Sequence, residues 1–206
     1  MSKGFWRSPY FVVLCSVLII LFAYGGRQSI GMFLRPITES MGWGEDIRIM
    51  SFASGLQSLI YGCAAPFFGA IADRWGPIKV LILSSIIYAL GLFLMSQSTG
   101  ETGLIVSVGF LSGIGAAGIS LPMLLSIVGR VAPESRRTFW LAIVVSGGTL
   151  GQMLIVPLSH YMISSWGWVL AAIILSVSAL TVIPLTLCMK HAASDVLNKK
   201  DKQSLG

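Results

Sequence analysis

Arg27 is the one charged side chain set inside a long apolar run rather than at its edge. A charge at the centre of a bilayer costs about 2.5–3.5 kcal/mol even on insertion-based scales, so its presence demands a reason. A guanidinium offers a planar fork of donors that grips a carboxylate at two points. The chemistry this suggests is recognition of a small organic anion. Two other readings stand beside it: snorkelling towards the nearby end of the run, and a purely structural role. Tyr24 lies one helical turn before Arg27, and Ser54, Gln57, Ser58 and Tyr61 follow helical spacing in the next run. Ser120, Ser146, Thr149 and Gln152 come later. From these, Tyr24, Gln57, Tyr61, Ser120 and Gln152 join Arg27 as candidate substrate contacts. Each is equally suited to helix–helix hydrogen bonding.

Other chemistries find little support. Ser120 and His160 could mimic a nucleophile and its base, which must lie within hydrogen-bond reach. Their positions near opposite ends of two spans predict a separation of ~20 Å or more at 1.5 Å rise per residue. Proton coupling commonly uses a membrane-embedded Asp, Glu or His. His160 is the nearest candidate and reads as interfacial, so a coupling group is expected in a partner half. Cys15, Cys63 and Cys188 each sit in an apolar run without metal-ligand spacing. No metal, cofactor or prosthetic group is implied. The net charge of +6 is scattered in short clusters between apolar runs, which argues against a nucleic-acid partner.

The elements that must position these residues are membrane spans. Of 206 residues, 55% are hydrophobic and 11% charged, with a mean hydropathy of +0.84. Too little polar surface remains to cover a water-exposed globule, so lipid must be the solvent. About 20 apolar residues cross ~30 Å of hydrocarbon. Runs of that length occur at about 10–34, 49–71, 79–97, 103–129, 138–163 and 168–189. Punctuation falls between them, as at Arg35-Pro36, Asp73-Arg74, Gly100-Glu101, Pro133-Glu134 and Trp166-Gly167. The first run lacks a small-x-small cleavage site and reads as an uncleaved span.

Lys and Arg gather on the cytoplasmic side of a membrane. With the N-terminus inside, eleven fall on inner segments (Lys3, Arg7, Arg74, Lys79, Arg130, Arg136, Arg137, Lys190, Lys199, Lys200 and Lys202). Only Arg35 and Arg48 fall outside. Both termini are therefore expected in the cytoplasm. Residues 1–189 form the expected six-helix bundle, and the polar stretch 190–206 a flexible cytoplasmic tail.

An internal repeat appears at a shift of 91 residues. Pro66, Trp75 and Gly76 lie over Pro157, Trp166 and Gly167, at the ends of the second and fifth spans. The inner copy carries Asp73, Arg74 and Lys79, while the outer copy has Ser164 and Ser165 and no charge. Duplication of a three-helix unit with inverted topology predicts that difference.

The stretch Gly69-Ala-Ile-Ala-Asp73-Arg74-Trp-Gly76-Pro-Ile-Lys79 resembles the loop between helices two and three of the major facilitator superfamily, G-x-x-x-D-R-x-G-x-x-K. It departs at Pro77 and Ile78, where basic residues are frequent. Tyr24-Gly-Gly-Arg27-Gln-Ser-Ile-Gly31-Met-Phe, Met41-Gly-Trp43, and Arg136-Arg137 leading to Gly147-Gly148-x-x-Gly151-Gln152 resemble the monocarboxylate porters and oxalate/formate antiporters within it. The resemblance implies an all-α fold, six spans forming a 3+3 inverted-repeat half of a twelve-span transporter. It also implies a conformational latch from Gly69, Asp73, Arg74, Gly76 and Lys79, with Arg130 placed to pair with Asp73. Gly69 and Gly76 are expected to permit close helix approach and a tight turn.

These readings converge on a transporter half in the inner (plasma) membrane of a bacterium, not an enzyme. It is expected to move small organic anions such as monocarboxylates by alternating access, as symporter or antiporter. Its partners would be the anion, the lipid bilayer and a second six-helix half, itself or another chain. The alternative is a truncated, non-transporting subunit with an assembly or regulatory role.

Overall fold

The computed structural model describes residues 9–43 and 46–189. The expected tail at 190–206, and the N-terminal charges Lys3 and Arg7, lie outside the described residues. Six long apolar helices run through the rest: α1 Tyr10–Ser40, α2 Arg48–Trp75, α3 Pro77–Gln97, α4 Glu101–Val131, α5 Glu134–Trp166 and α6 Trp168–Met189. The protein is an all-helical membrane bundle, with no strand among the described residues.

α2 runs on to Trp75, so Asp73-Arg74 lie in its last turn rather than between spans. Two further helices differ more from the expected runs. α1 continues past Arg35-Pro36 as far as Ser40, tightening to a 3₁₀ turn at Ile30–Phe33 and resuming as α-helix at Leu34–Ser40. Pro36 falls in the first turn of that resumed segment, where its missing N–H forfeits no intrahelical bond. α4 is interrupted twice. It widens to a π-helix at Ile105–Leu111, then breaks after Gly118, where Ser120 is extended before helix resumes at Leu121–Val131.

Packing follows the inverted repeat. α1 lies chiefly on α5 and α2 on α4, two pairings that exchange when the three-helix units are swapped, while α3–α6 maps onto itself. Each pairing holds one buried polar clamp. The Ser159 hydroxyl of α5 donates to Ser29 Oγ of α1 at 2.9 Å. Gln57 Nε2 of α2 donates to Ser112 Oγ of α4 at 2.7 Å. The Ser176 hydroxyl of α6 donates to the Ala89 carbonyl of α3 at 2.8 Å. Lipid tails are as apolar as Leu, so such bonds and close van der Waals contact must carry helix association.

The repeated motif is repeated geometry. Gly76 and Gly167 have φ of +88° and +84°, and their N–H groups donate to Ala72 and Ile163 at 2.9 and 3.0 Å. Each closes one helix and starts the next within a single residue, at opposite ends of the bundle. At the end shared by Gly167, the Arg48 guanidinium clasps Asp46, with Nη2 to Oδ2 2.6 Å, and holds that exposed carboxyl at about 2.

A Cβ on Gly151 would stand 2.7 Å from Leu21 Cα, whereas one on Gly31 would meet nothing within 4 Å. Gly151→Val is therefore expected to destabilise the bundle by about 1–3 kcal/mol through overpacking, and Gly31→Ala to leave it unchanged. Thermal unfolding in lipid nanodiscs, followed by helical circular dichroism, checks both. Equal midpoints for the two variants would refute the close approach of α1 and α5.

Candidate anion site

α1 brings Tyr24 and Arg27 to one face, one turn apart, and α2 presents Tyr61 opposite. The Arg27 guanidinium lies over the Tyr61 ring, with Cζ 3.9 Å from the ring centroid. This arrangement stabilises a cation by the negative face of the ring, worth ~2 kcal/mol when desolvated. Tyr24, Arg27 and Tyr61 line the same cleft. Arg27 is thus turned onto α2, not simply extended along α1 towards water. No carboxylate among the described residues forms an ion pair with it; the two ion pairs found there are Arg48–Asp46 and Arg130–Asp73.

Around the guanidinium is a narrow cleft lined by Ala23, Tyr24, Arg27, Tyr61, Tyr88, Ala116 and Ile119. Its free space is about 10 Å³, room for roughly one water molecule. Four helices meet there because small residues let them. A Cβ on Gly115 of α4 would lie 2.6 Å from Tyr88 Cα of α3. The α4 backbone breaks at this depth, beside Ile119, and irregular backbone is tolerated in a membrane only where protein or a cavity covers it.

Tyr88 is the residue that sequence reasoning missed. Its side chain is 2% exposed and its hydroxyl has no hydrogen-bond partner. An orphaned buried hydroxyl costs ~1–3 kcal/mol. A turn-spaced polar pair, Ser84 and Tyr88, marks the inner face of α3 in the sequence. That signal was easily overlooked inside so apolar a run.

Of the expected contacts, Arg27, Tyr24 and Tyr61 come together and the others do not line the cleft. Gln57 is committed to the α2–α4 clamp, and its acceptor Ser112 donates onward to the Val108 carbonyl. Ser120 lines a separate groove of about 460 Å³ between α2 and α4, with Gly62, Gly69, Asp73 and Ser126. Gln152 is half-buried on α5, one turn beyond Gly148, which packs near Tyr24. Ser146 bonds back to the Ala142 carbonyl of its own helix. His160 is exposed and lines a hollow with Arg35 and Glu39, apart from the groove that holds Ser120. The two residues share no cavity.

The latch residues share one end of the bundle. Arg130 Nη2 approaches Asp73 Oδ1 at 3.8 Å, with side chains 60% and 79% exposed, respectively. Arg74 and Lys79 are exposed beside them. Gly76 makes the expected turn, but Gly69 does not serve close approach within this chain. A Cβ there would meet nothing within 4 Å, because Gly69 faces the open α2–α4 groove.

A family profile described as the Major Facilitator Superfamily matches residues 16–204. Among similar proteins, a benzoate transport protein of Acinetobacter baylyi is 23% identical over 97% of this chain and 42% of its own length. Monocarboxylate transporter 2 of Meriones unguiculatus is 25% identical over 76% of this chain and 31% of its own. Monocarboxylate transporter 13 of Rattus norvegicus is 24% identical over 84% and 40%, respectively. The chain thus spans less than half the length of these curated relatives. Among solved structures, the inward-open xylose transporter of E. coli superposes with a TM-score of 0.72 at 14% identity, covering 93% of this chain and 52% of that one.

An exposed ion pair at 3.8 Å contributes ~0–1 kcal/mol. Asp73→Asn and Arg130→Gln are therefore each expected to shift stability by less than about 1 kcal/mol. Chemical denaturation in mixed micelles checks this, and a larger loss would show the pair to be part of the fold.

Proposed function

Because the chain belongs to the major facilitator superfamily, a family of transporters rather than enzymes, we propose that it serves as half of a secondary transporter for small organic anions such as monocarboxylates. The observation that carries this is Arg27: a guanidinium in a membrane helix, stacked on Tyr61, with no carboxylate partner among the described residues. An intramembrane cation without a counter-ion is a receptor for one. The carboxylate of a substrate supplies that charge, and the planar fork orients it. The names of the relatives, benzoate and monocarboxylate transporters, support the same class of anion.

Alternating access needs two halves rocking about a midplane site. α2, which carries Tyr61, and α5 are the helices least covered within this chain. A second six-helix half, another copy or another chain, would cover the site there. Asp73, Arg130 and the open groove at Gly69 would then act as the latch, on the cytoplasmic side of a bacterial inner membrane.

Arg27→Gln is expected to lower benzoate and lactate uptake into proteoliposomes at least tenfold while leaving insertion intact. Arg27→Lys should recover little of it, since an ammonium cannot make the two-point contact. Uptake by Arg27→Gln with unchanged rate and affinity would remove the substrate role from Arg27.

A further inference from the structure

Among the polar groups of the cleft, Tyr88 is set apart. Arg27 is stacked on Tyr61. The Tyr88 hydroxyl has no partner, although Tyr88 lines the same cleft as Arg27. It is brought there from α3, a helix whose other main contact is the outer α6. Two small residues make the approach possible. Gly115 lets α4 lie directly on the Tyr88 backbone, and a Cβ on Gly26 of α1 would stand 3.4 Å from the Tyr88 hydroxyl. Any larger side chain at Gly26 would cover that oxygen.

A ring that served packing alone would be better as Phe, since replacing an unpaired buried hydroxyl with a hydrogen is neutral or stabilising. Retaining the hydroxyl makes sense where something else accepts its proton. A carboxylate held by Arg27 has lone pairs left over after the guanidinium takes its two, and a neutral phenol is a donor that adds no second charge.

We infer that Tyr88 is a substrate-binding, specificity-determining residue, whose hydroxyl donates a hydrogen bond to the carboxylate that Arg27 captures. This rests on the anion reading of Arg27. One cation and one neutral donor compensate a single negative charge, so the pair favours a monoanion over a dianion.

The test uses the full chain in lipid nanodiscs, titrated with benzoate by calorimetry and by ligand-induced shift of the thermal midpoint. Tyr88→Phe keeps the ring and removes the donor. Benzoate affinity is expected to fall about ten- to a hundredfold, as loss of a hydrogen bond to a charged group implies. The unliganded midpoint should be equal to or above that of the parent chain, a combination that a packing role would not produce. Arg27→Gln, run in parallel, separates the two readings. If Arg27→Gln loses benzoate and Tyr88→Phe binds it as the parent does, the Tyr88 inference is overturned and the anion site stands. If the parent chain binds no benzoate, or Arg27→Gln binds it unchanged, both readings fall together.

Discussion

Hydrocarbon gives helices no hydrophobic reason to associate, and the architecture of this bundle depends on how closely its backbones can approach. α1 meets α5 where Gly25 and Gly151 leave no room for a side chain, and α4 meets α3 where Gly115 presses on Tyr88. With the backbones this near, short side chains such as Ser29, Ser159 and Ser176 can bridge between helices. Larger residues would push the helices apart and leave those hydroxyls bonded only within their own helix. The same proximity creates the cleft at Arg27, which four helices line within a few ångströms.

Within that cleft the protein tolerates two costs. A guanidinium sits in the bilayer with an aromatic face as its partner, and a tyrosine hydroxyl sits buried with none. Arrangements of this kind, in which local stability is given up in order to hold groups ready, are characteristic of binding sites. The stacking of Arg27 on Tyr61 fixes the cation within the cleft, so on the proposed reading it is in place before an anion arrives. Ordering of the site need not then be part of the cost of binding.

Much of this was legible in the residues. The number of spans follows from hydrocarbon thickness, the 3+3 repeat from Pro, Trp and Gly at a fixed shift, and the candidate site from one misplaced charge. The π segment at Ile105–Leu111 was not legible, because it has the same apolar composition as its surroundings. By contrast, the break after Gly118 is marked by Ser120 and Pro122 at the start of the resumed helix. The extension of α1 past Pro36 escaped notice because a proline reads as a stop unless a 3₁₀ turn resets the helix before it. Gln57 lies away from the cleft, and Tyr88, not among the expected contacts, lines it, for a geometric reason. Spacing tells which residues share a helix face, but it does not tell which of the neighbouring helices that face meets. Gln57 faced a serine one helix away, and the cavity fell to Tyr88 on a helix whose few polar residues are set in a long apolar run.

The paired turns at Gly76 and Gly167 carry an evolutionary consequence. Each needs a residue that accepts positive φ, and each joins two helices without a spare residue, so neither can shift along the chain without unfastening both neighbours. They therefore behave as fixed register marks in a duplicated gene product. Between the marks the helices are free to vary in winding, and α4 widens to a π turn at Ile105–Leu111. Its counterpart α1 has instead tightened at Ile30–Phe33. The first helices of the two units are thus the ones that depart from regular α-helix, and between the fixed turns one holds a charge at Arg27 and the other a gap in its backbone after Gly118.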